Sequence, residues 1–285
     1  MKIVTAVVNN INFIEIQYYT LKKHFKGQYE FIVFNDAKAW PDNTNGGDST
    51  IRDKISAACR SLGIQCINIP NEHHRTITKQ PSDRTADSMN FITNYQRNNP
   101  DKYLLLDSDM FLISDFSIDS YSNHSSAVVH QHRGDLNYIW NGLYYFDFSS
   151  IAAVDSINWN CCEGCDTGGM MQSWLKTQKP ESVYSIRHLP SCTWSAADLP
   201  STLKDNEKLV NFLNTDVRNV NGKFFCELYD GVFLHYRAGG NWRGEGMKLH
   251  TRLTEALKSA ILETPRNTTI FSLIPRRTPL RGSLR

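Results

Sequence analysis

Four short, predominantly apolar runs constrain this chain more than any other feature. They are residues 3–8 (IVTAVV), 31–34 (FIVF), 66–69 (CINI) and 103–106 (YLLL). Runs of this length without polar alternation read as strands covered on both faces, which is the habit of parallel sheets. Helical spacing fills the intervals between them. Ile14, Tyr18, Leu21 and Phe25 share one helix face that stops at Gly27, and Ile51, Ile55, Ala58 and Leu62 share another that stops at Gly63. Ser82 reads as the N-cap of a third helix carrying Ala86, Met89, Ile92 and Tyr95, ended by Asn98-Asn99-Pro100. Strand and helix in alternation predict an α/β fold, with a mixed, mainly parallel central sheet flanked by helices. With 285 residues, 40% of them hydrophobic, one large domain with a sizeable core is expected.

The second half is less regular. Ala127–Val129 and Leu143–Phe148 read as strands, the latter following an Asn141-Gly142 turn, and a short helix around Trp174 is expected to begin near Asp166. Gly231–His235 reads as a further strand. Leu253, Ala256, Leu257, Ala260 and Ile261 then mark a C-terminal helix. We divide the chain into a domain over residues 1–263, with halves 1–110 and 111–263, and a basic, mobile tail over 264–285. Lys and Arg number 31 against 29 Asp and Glu, a net charge of +2, which gives no electrostatic reason to expect a nucleic-acid partner. No apolar run approaches the ~20 residues of a membrane span. The opening MKIVTAVVNN turns polar at Asn9-Asn10 before a signal-peptide core could form, so a soluble, cytoplasmic chain is expected. The seven cysteines, including the group Cys161, Cys162 and Cys165, are expected to be reduced thiols; no second pair completes a zinc pattern.

Open parallel sheets bind ligands beyond the carboxyl ends of their strands, at the switch point in strand order. There the sequence places Asn9 and Asn10, Asp36, and the triplet Asp107-Ser108-Asp109. Two carboxylates at i and i+2, leaving a buried strand, are costly without a counter-charge and suit one hard divalent cation, Mg²⁺ or Mn²⁺. An ordinary solvated turn is the competing reading. No GxGxxG or P-loop glycine pattern follows the first strand, which disfavours a dinucleotide fold or a Walker NTPase.

KYLLLDSDMFLI (102–113) resembles the DxD segment of the GT-A-type nucleotide-sugar glycosyltransferases. SDRTADSMNFITNY (82–95) is similar to the helix that family lays against its donor. YIWNGLYYFD (138–147) resembles its acceptor-side strand, and FLHYRAGGNW (233–242) its C-terminal histidine motif. The likeness spans roughly residues 1–245. It implies that Asp107 and Asp109 hold the metal on a donor diphosphate, with Asp109 the more direct ligand and His235 the third. An imidazole ligand favours Mn²⁺ over Mg²⁺. Gly239 and Gly240 would bring backbone N–H groups to phosphate, with Arg237 or Arg243 adding charge, and Asp36 would bond the base or ribose. Asn9, Arg84, Asp87 and Ser108 complete the donor side. Trp140, Asn141 and Gly142 would line the acceptor cleft, where His130, His132 and Trp242 are further candidates. Asp166 would be the general base of an inverting reaction, or position the acceptor, or merely cap a helix.

The implied activity is transfer of a sugar from a nucleoside diphosphate, UDP by preference, to a hydroxyl of a glycan or protein. Two alternatives stand beside it. A sugar-phosphate nucleotidyltransferase normally carries a glycine-rich basic loop after the first strand, where this chain has VVNNINF. A non-catalytic carbohydrate- or partner-binding module would have lost a carboxylate or the histidine, and all three are present.

Overall fold

In a computed structural model, residues 1–76, 79–162, 164–240 and 245–262 are described. The tail expected from residue 264, along with Trp242 and Arg243, lies outside them. The chain runs β1 (Lys2–Val7), α1 (Ile11–His24), β2 (Phe25–Lys26), β3 (Glu30–Asn35), α2 (Ile51–Leu62), β4 (Gln65–Asn68), α3 (Pro81–Asn98) and β5 (Lys102–Leu106). It continues through β6 (Met110–Leu112), β7 (Phe116–Ser117), β8 (Ser126–Arg133), β9 (Leu136–Asp147), α4 (Met171–Leu175), β10 (Val183–Ser185) and β11 (His188–Leu189). It ends with α5 (Ser201–Lys204), α6 (Glu207–Thr215), β12 (Glu227–Tyr229), β13 (Phe233–His235) and α7 (Glu245–Leu262).

The central sheet has 7 strands in the order β10-β8-β9-β5-β1-β3-β4, and β9 alone runs against the rest. Helices flank it, as the alternating pattern requires. From β1 the chain steps outward to β3 and β4, then returns to place β5 on the other side of β1. A crevice therefore opens beyond the ends of β1 and β5, the switch point where such sheets bind ligands. Asn9 follows one strand and Asp107 the other.

Local chemistry explains most boundaries. Asn10 caps α1, its side chain accepting the Asn12 N–H at 3.2 Å. The buried face of α1 is wider than the predicted stripe and includes the polar Gln17 and Thr20. Gly63, at φ 68°, ends α2 as expected. The predicted N-cap of α3 is displaced: Ser82 lies inside the first turn because Pro81, with no N–H to lose, takes the first helical position behind a Gln80/Asp83 capping box. Likewise, Asn141-Gly142 is no turn. The strand β9 runs through it, paired with β8 across the tight Gly134-Asp135 connection. Gly142 instead leaves room for the Trp140 ring, which a Cβ would meet at 2.2 Å.

At Asp107-Ser108-Asp109 the chain leaves the central sheet and enters a second one, 4-stranded and antiparallel in the order β11-β12-β13-β6. The predicted strand over 231–235 shortens to β13, since Gly231 sits in a turn at φ 74°. Helices α1, α6 and α7 cover this sheet through Phe13, Ile16, Leu209, Phe212, Leu253 and Leu257. Ala256, predicted on the buried face of α7, is exposed, and His250 and Thr254 take the inward places at helical spacing.

On the central sheet, Trp159 stacks on Tyr144 and Phe146, and Trp174 packs tilted against Phe146, in an aromatic core. The loop carrying Trp159 is pinned where the Gly168 N–H donates to the Trp159 carbonyl at 2.8 Å. Gly168 has φ 89°, and a Cβ there would lie 2.3 Å from the Ile139 carbonyl oxygen. Both strain and collision follow from any side chain. Gly168→Ala is expected to destabilise the protein by about 3 kcal/mol, read as a lower urea midpoint with an unchanged slope.

Candidate metal centre

The Asp107–Asp109 turn is held by backbone bonds before its carboxylates are considered. The Asp107 N–H donates to the Gly142 carbonyl at 2.7 Å, and the Met110 N–H to the Asp107 carbonyl at 3.0 Å. From α1, the buried Gln17 amide donates to the carbonyls of Asp107 (2.7 Å) and Met110 (3.1 Å). That clamp explains why the polar Gln17 is buried on the inner face of α1.

Strand register then supplies the partners. In the second sheet His235 pairs with Met110, the residue after Asp109, and Glu227 pairs with His235. Side chains directly opposite on antiparallel strands are neighbours on one face. Glu227 faces His235 in that way. Asp109, in the turn just before β6 where its carbonyl accepts the Tyr236 N–H at 2.8 Å, turns its carboxylate to the same ring. His235 Nε2 lies 3.2 Å from Asp109 Oδ1 and 4.0 Å from Asp107 Oδ2. Its Nδ1 lies 2.9 Å from Glu227 Oε2, which also accepts the Tyr229 hydroxyl at 2.8 Å. A carboxylate behind a histidine fixes the ring so that the other nitrogen faces the site, the usual support for a metal-ligating imidazole. Nothing in the sequence around Glu227 (FFCELYD) announced this role, because the short strand holding it went unread.

Charge in the site is unbalanced toward the negative. Burial alone would lower the His235 pKa, but the Asp109 charge and its contact, with Glu227 behind, push it up to about 10. Burial would raise Asp109, yet His235 and the Gly239 N–H, 2.8 Å from Oδ2, hold its carboxyl below the usual range. Asp107 is pushed upward by burial and by the Asp109 charge. Its side chain is 38% exposed against 6% for Asp109, so Asp107 is the carboxylate that opens toward the cleft. Two carboxylates and an imidazole whose ligand atoms lie within 4.8 Å of one another form a donor set that fits a divalent cation. A proton on His235 balances part of this negative charge, as a divalent cation would.

A cleft of about 450 Å³ lies over this group at the switch point. It brings together Asn9, Asp36, Arg84, Asp107, Ser108, Asp109 and His235. Trp140, Asn141, Gly239 and Gly240 also line it. Gly142 lies behind the Trp140 ring instead. Asp87 is outside the lining and paired with Lys79. Asp166 is also outside it, exposed in a turn where it accepts the Thr167 N–H at 2.9 Å; α4 begins only at Met171, so Asp166 starts no helix. His130 bonds Asn137 and Ser185, His132 is exposed, and neither reaches the cleft. Arg237 turns toward Glu227, 3.8 Å away.

Several expected contacts are already committed to the protein. The Asn9 amide donates to the carbonyls of Thr44 (3.1 Å) and Gly240 (2.8 Å), tying two cleft loops together. The Gly239 N–H expected to meet phosphate is spent on Asp109. Arg84 is different: it forms no ion pair among the described residues, and its Nε is buried without a partner. Lys38, Thr44, Asn45, His74 and Ser88 also line the cleft. All seven cysteines are free thiols, and none belongs to a group of three ligating side chains among the described residues.

Compared with protein-family models and with curated proteins, the chain matches none significantly.

The two glycines should respond differently to a methyl group. A Cβ on Gly239 would lie 2.4 Å from the Phe13 ring, whereas on Gly240 it would make ordinary contact with Val8 at 3.7 Å. Gly239→Ala should cost about 1–3 kcal/mol of stability and weaken cation binding, with Gly240→Ala near parental in both, as measured by denaturation and calorimetry. Binding must also expel the His235 proton. Below pH 10 apparent affinity for a divalent cation should therefore rise with pH, by up to about tenfold per unit, with proton release visible as buffer-dependent binding heat. His235→Gln should flatten that slope.

Proposed function

We propose that this protein is a metal-dependent glycosyltransferase that takes a sugar from a nucleoside diphosphate, UDP by preference, to a hydroxyl of a glycan or protein. The observation that carries the reading is convergence. Asp107, Asp109 and His235 meet at the floor of one cleft, at the sheet's switch point, beside Arg84, which forms no ion pair among the described residues.

That arrangement suits a diphosphate. Helix α3 directs its N-terminal turn at the cleft through Pro81, Arg84 and Thr85, so its dipole and the Arg84 guanidinium both favour an anion there. Asp107 and Asp109 would hold the cation with His235, and the imidazole inclines the choice to Mn²⁺ over Mg²⁺. When bound, the cation neutralises charge growing on the departing diphosphate. Glu227 keeps His235 Nε2 turned inward, and Gln17 keeps the acidic turn from shifting. Trp140, stacked on Tyr229 with ring centroids 5.2 Å apart, presents an aromatic wall of the kind sugar C–H faces pack against. The described carboxylates lining the cleft are Asp36, Asp107 and Asp109, so Asp166 would need the acceptor itself, or a shift of its loop, to serve as base. Among the described residues no helix is long and apolar enough to cross a membrane.

A thermal-shift panel of UDP-, GDP-, dTDP- and CMP-sugars with Mn²⁺ tests the reading. A nucleotide at 100 times its Kd stabilises by about 2.7 kcal/mol. We expect one donor class to raise the Tm only with metal, Asp109→Asn to abolish the rise, and slow metal-dependent donor hydrolysis to accompany it. A panel without any shift, or a shift that survives EDTA, overturns the proposal.

A further inference from the structure

A second group of ligand-type side chains stands at the end of β3, built from different chemistry. Asp36 follows that strand, while His73 and His74 occupy the 3-10 turn Glu72–Arg75 between β4 and α3. His73 Nε2 lies 3.1 Å and His74 Nε2 3.0 Å from the same oxygen, Asp36 Oδ1. The three side chains are 11%, 8% and 4% exposed, respectively, so none is a casual surface contact.

What surrounds them has the form of a supported ligand set. The Ser88 hydroxyl donates to Asp36 Oδ2 at 2.6 Å, fixing the carboxylate and leaving Oδ1 turned to the imidazoles. The His73 ring also interacts with the Pro70 carbonyl. His74 Nδ1 is buried without a partner among the described residues, so this ring's polar contacts, to Asp36 Oδ1 and to the Asp36 backbone carbonyl at 2.9 Å, are made through Nε2 alone. Two adjacent histidines, rings 4.1 Å apart, thus converge on one carboxylate oxygen. The bonds that Ser88 makes to Asp36 and Pro70 to His73 are the usual outer support of ligating groups.

We infer that Asp36, His73 and His74 form a second, separate metal site, selective for a borderline divalent cation of the zinc type. In a tetrahedral zinc site with bonds of about 2.0–2.1 Å, neighbouring ligand atoms stand about 3.3 Å apart. The observed 3.0 and 3.1 Å need only a few tenths of an ångström of opening. Two imidazoles and one carboxylate suit zinc and disfavour magnesium, in contrast to the acid-rich group at Asp107. Asp36 and His74 line the cleft, so the fourth position opens into it and takes water or a ligand atom. Three protein ligands with one exchangeable position is the arrangement of reactive zinc sites, whereas structural ones are closed by four. The inference does not rest on sugar transfer.

Zinc content of the full chain, after stripping and equilibrium dialysis, tests it. Asp107→Asn/Asp109→Asn/His235→Gln should retain one zinc equivalent, and His73→Gln/His74→Gln should hold one fewer than the parent. A parental zinc content in the His73/His74 variant overturns the site, as does an empty triple variant that remains folded by circular dichroism. X-ray absorption of the parent protein, loaded with a single equivalent, needs no variant. Two imidazoles per zinc are expected, and one or none overturns the proposal. Failure of every nucleotide to bind would end the glycosyl-transfer reading while leaving these zinc counts untouched.

Discussion

The row of charge from Asp109 through His235 to Glu227 is the constraint on which the rest of the molecule depends. It lies between two sheets, with side-chain exposures of 6%, 7% and 14%. Each member is tolerable there only because the next one faces it. Removing one partner from a buried ion pair typically costs about 3–5 kcal/mol, because the other is left charged without water. A purely structural role would be poorly served by this arrangement, since apolar residues of equal volume would hold the sheets at least as well. Its excess of negative charge is what a cation-binding centre requires.

Everything nearby keeps that row in register. The chain passes from the central sheet to the second one within the three residues that carry the acids, so neither sheet can shift without moving them. Gln17 holds the turn from the helix side. On the far side the backbone enters the left-handed region at Arg237 (φ 67°) and Ala238 (φ 59°), two non-glycine residues in succession. Such conformations cost on the order of 1–2 kcal/mol each and persist only where the surroundings enforce them. Here the enforcement is visible: Arg218, bonded to the buried Asp216, donates to the Arg237 carbonyl at 2.9 Å. The resulting turn aims the Gly239 N–H at Asp109. Strain is thus concentrated where it positions a donor on the carboxylate that most needs one.

The cleft consequently has two ends of different character. One is rich in carboxylate and suits a hard cation with a phosphate ligand. The other combines imidazoles with a single acid already held by Ser88. Arg84 and the α3 N-terminus add positive character to the cleft wall. A reading of Asp36 as a free acceptor for a base or ribose fits this less well than its resemblance to donor-binding acids implied, because both its oxygens are engaged within the protein.

Short-range physics made much of this legible from the chain alone. Apolar runs and helical spacing locate β1, β3, β4, β5 and the helices between them. Burial on both faces marks the residue types of β1, β3 and β5, whereas β4, expected to be covered likewise, is an edge strand and only half-buried. The Asp107-Ser108-Asp109 triplet was equally plain, because charge beside a buried strand has few explanations. Where the marks are local, they are ambiguous: Asn141-Gly142 has the composition of a turn although its glycine serves the Trp140 ring, and helical spacing places Ala256 inward although it is exposed. Tertiary structure decided what depends on register between distant strands. Glu227 stands behind His235 because β12 pairs with β13, and His235 meets Asp109 because β13 pairs with β6. Asp36 meets His73 and His74 because a polar loop folds back over a strand end. No periodicity in one segment encodes such meetings, for they are set by which edges pair and by which buried charges must find a partner.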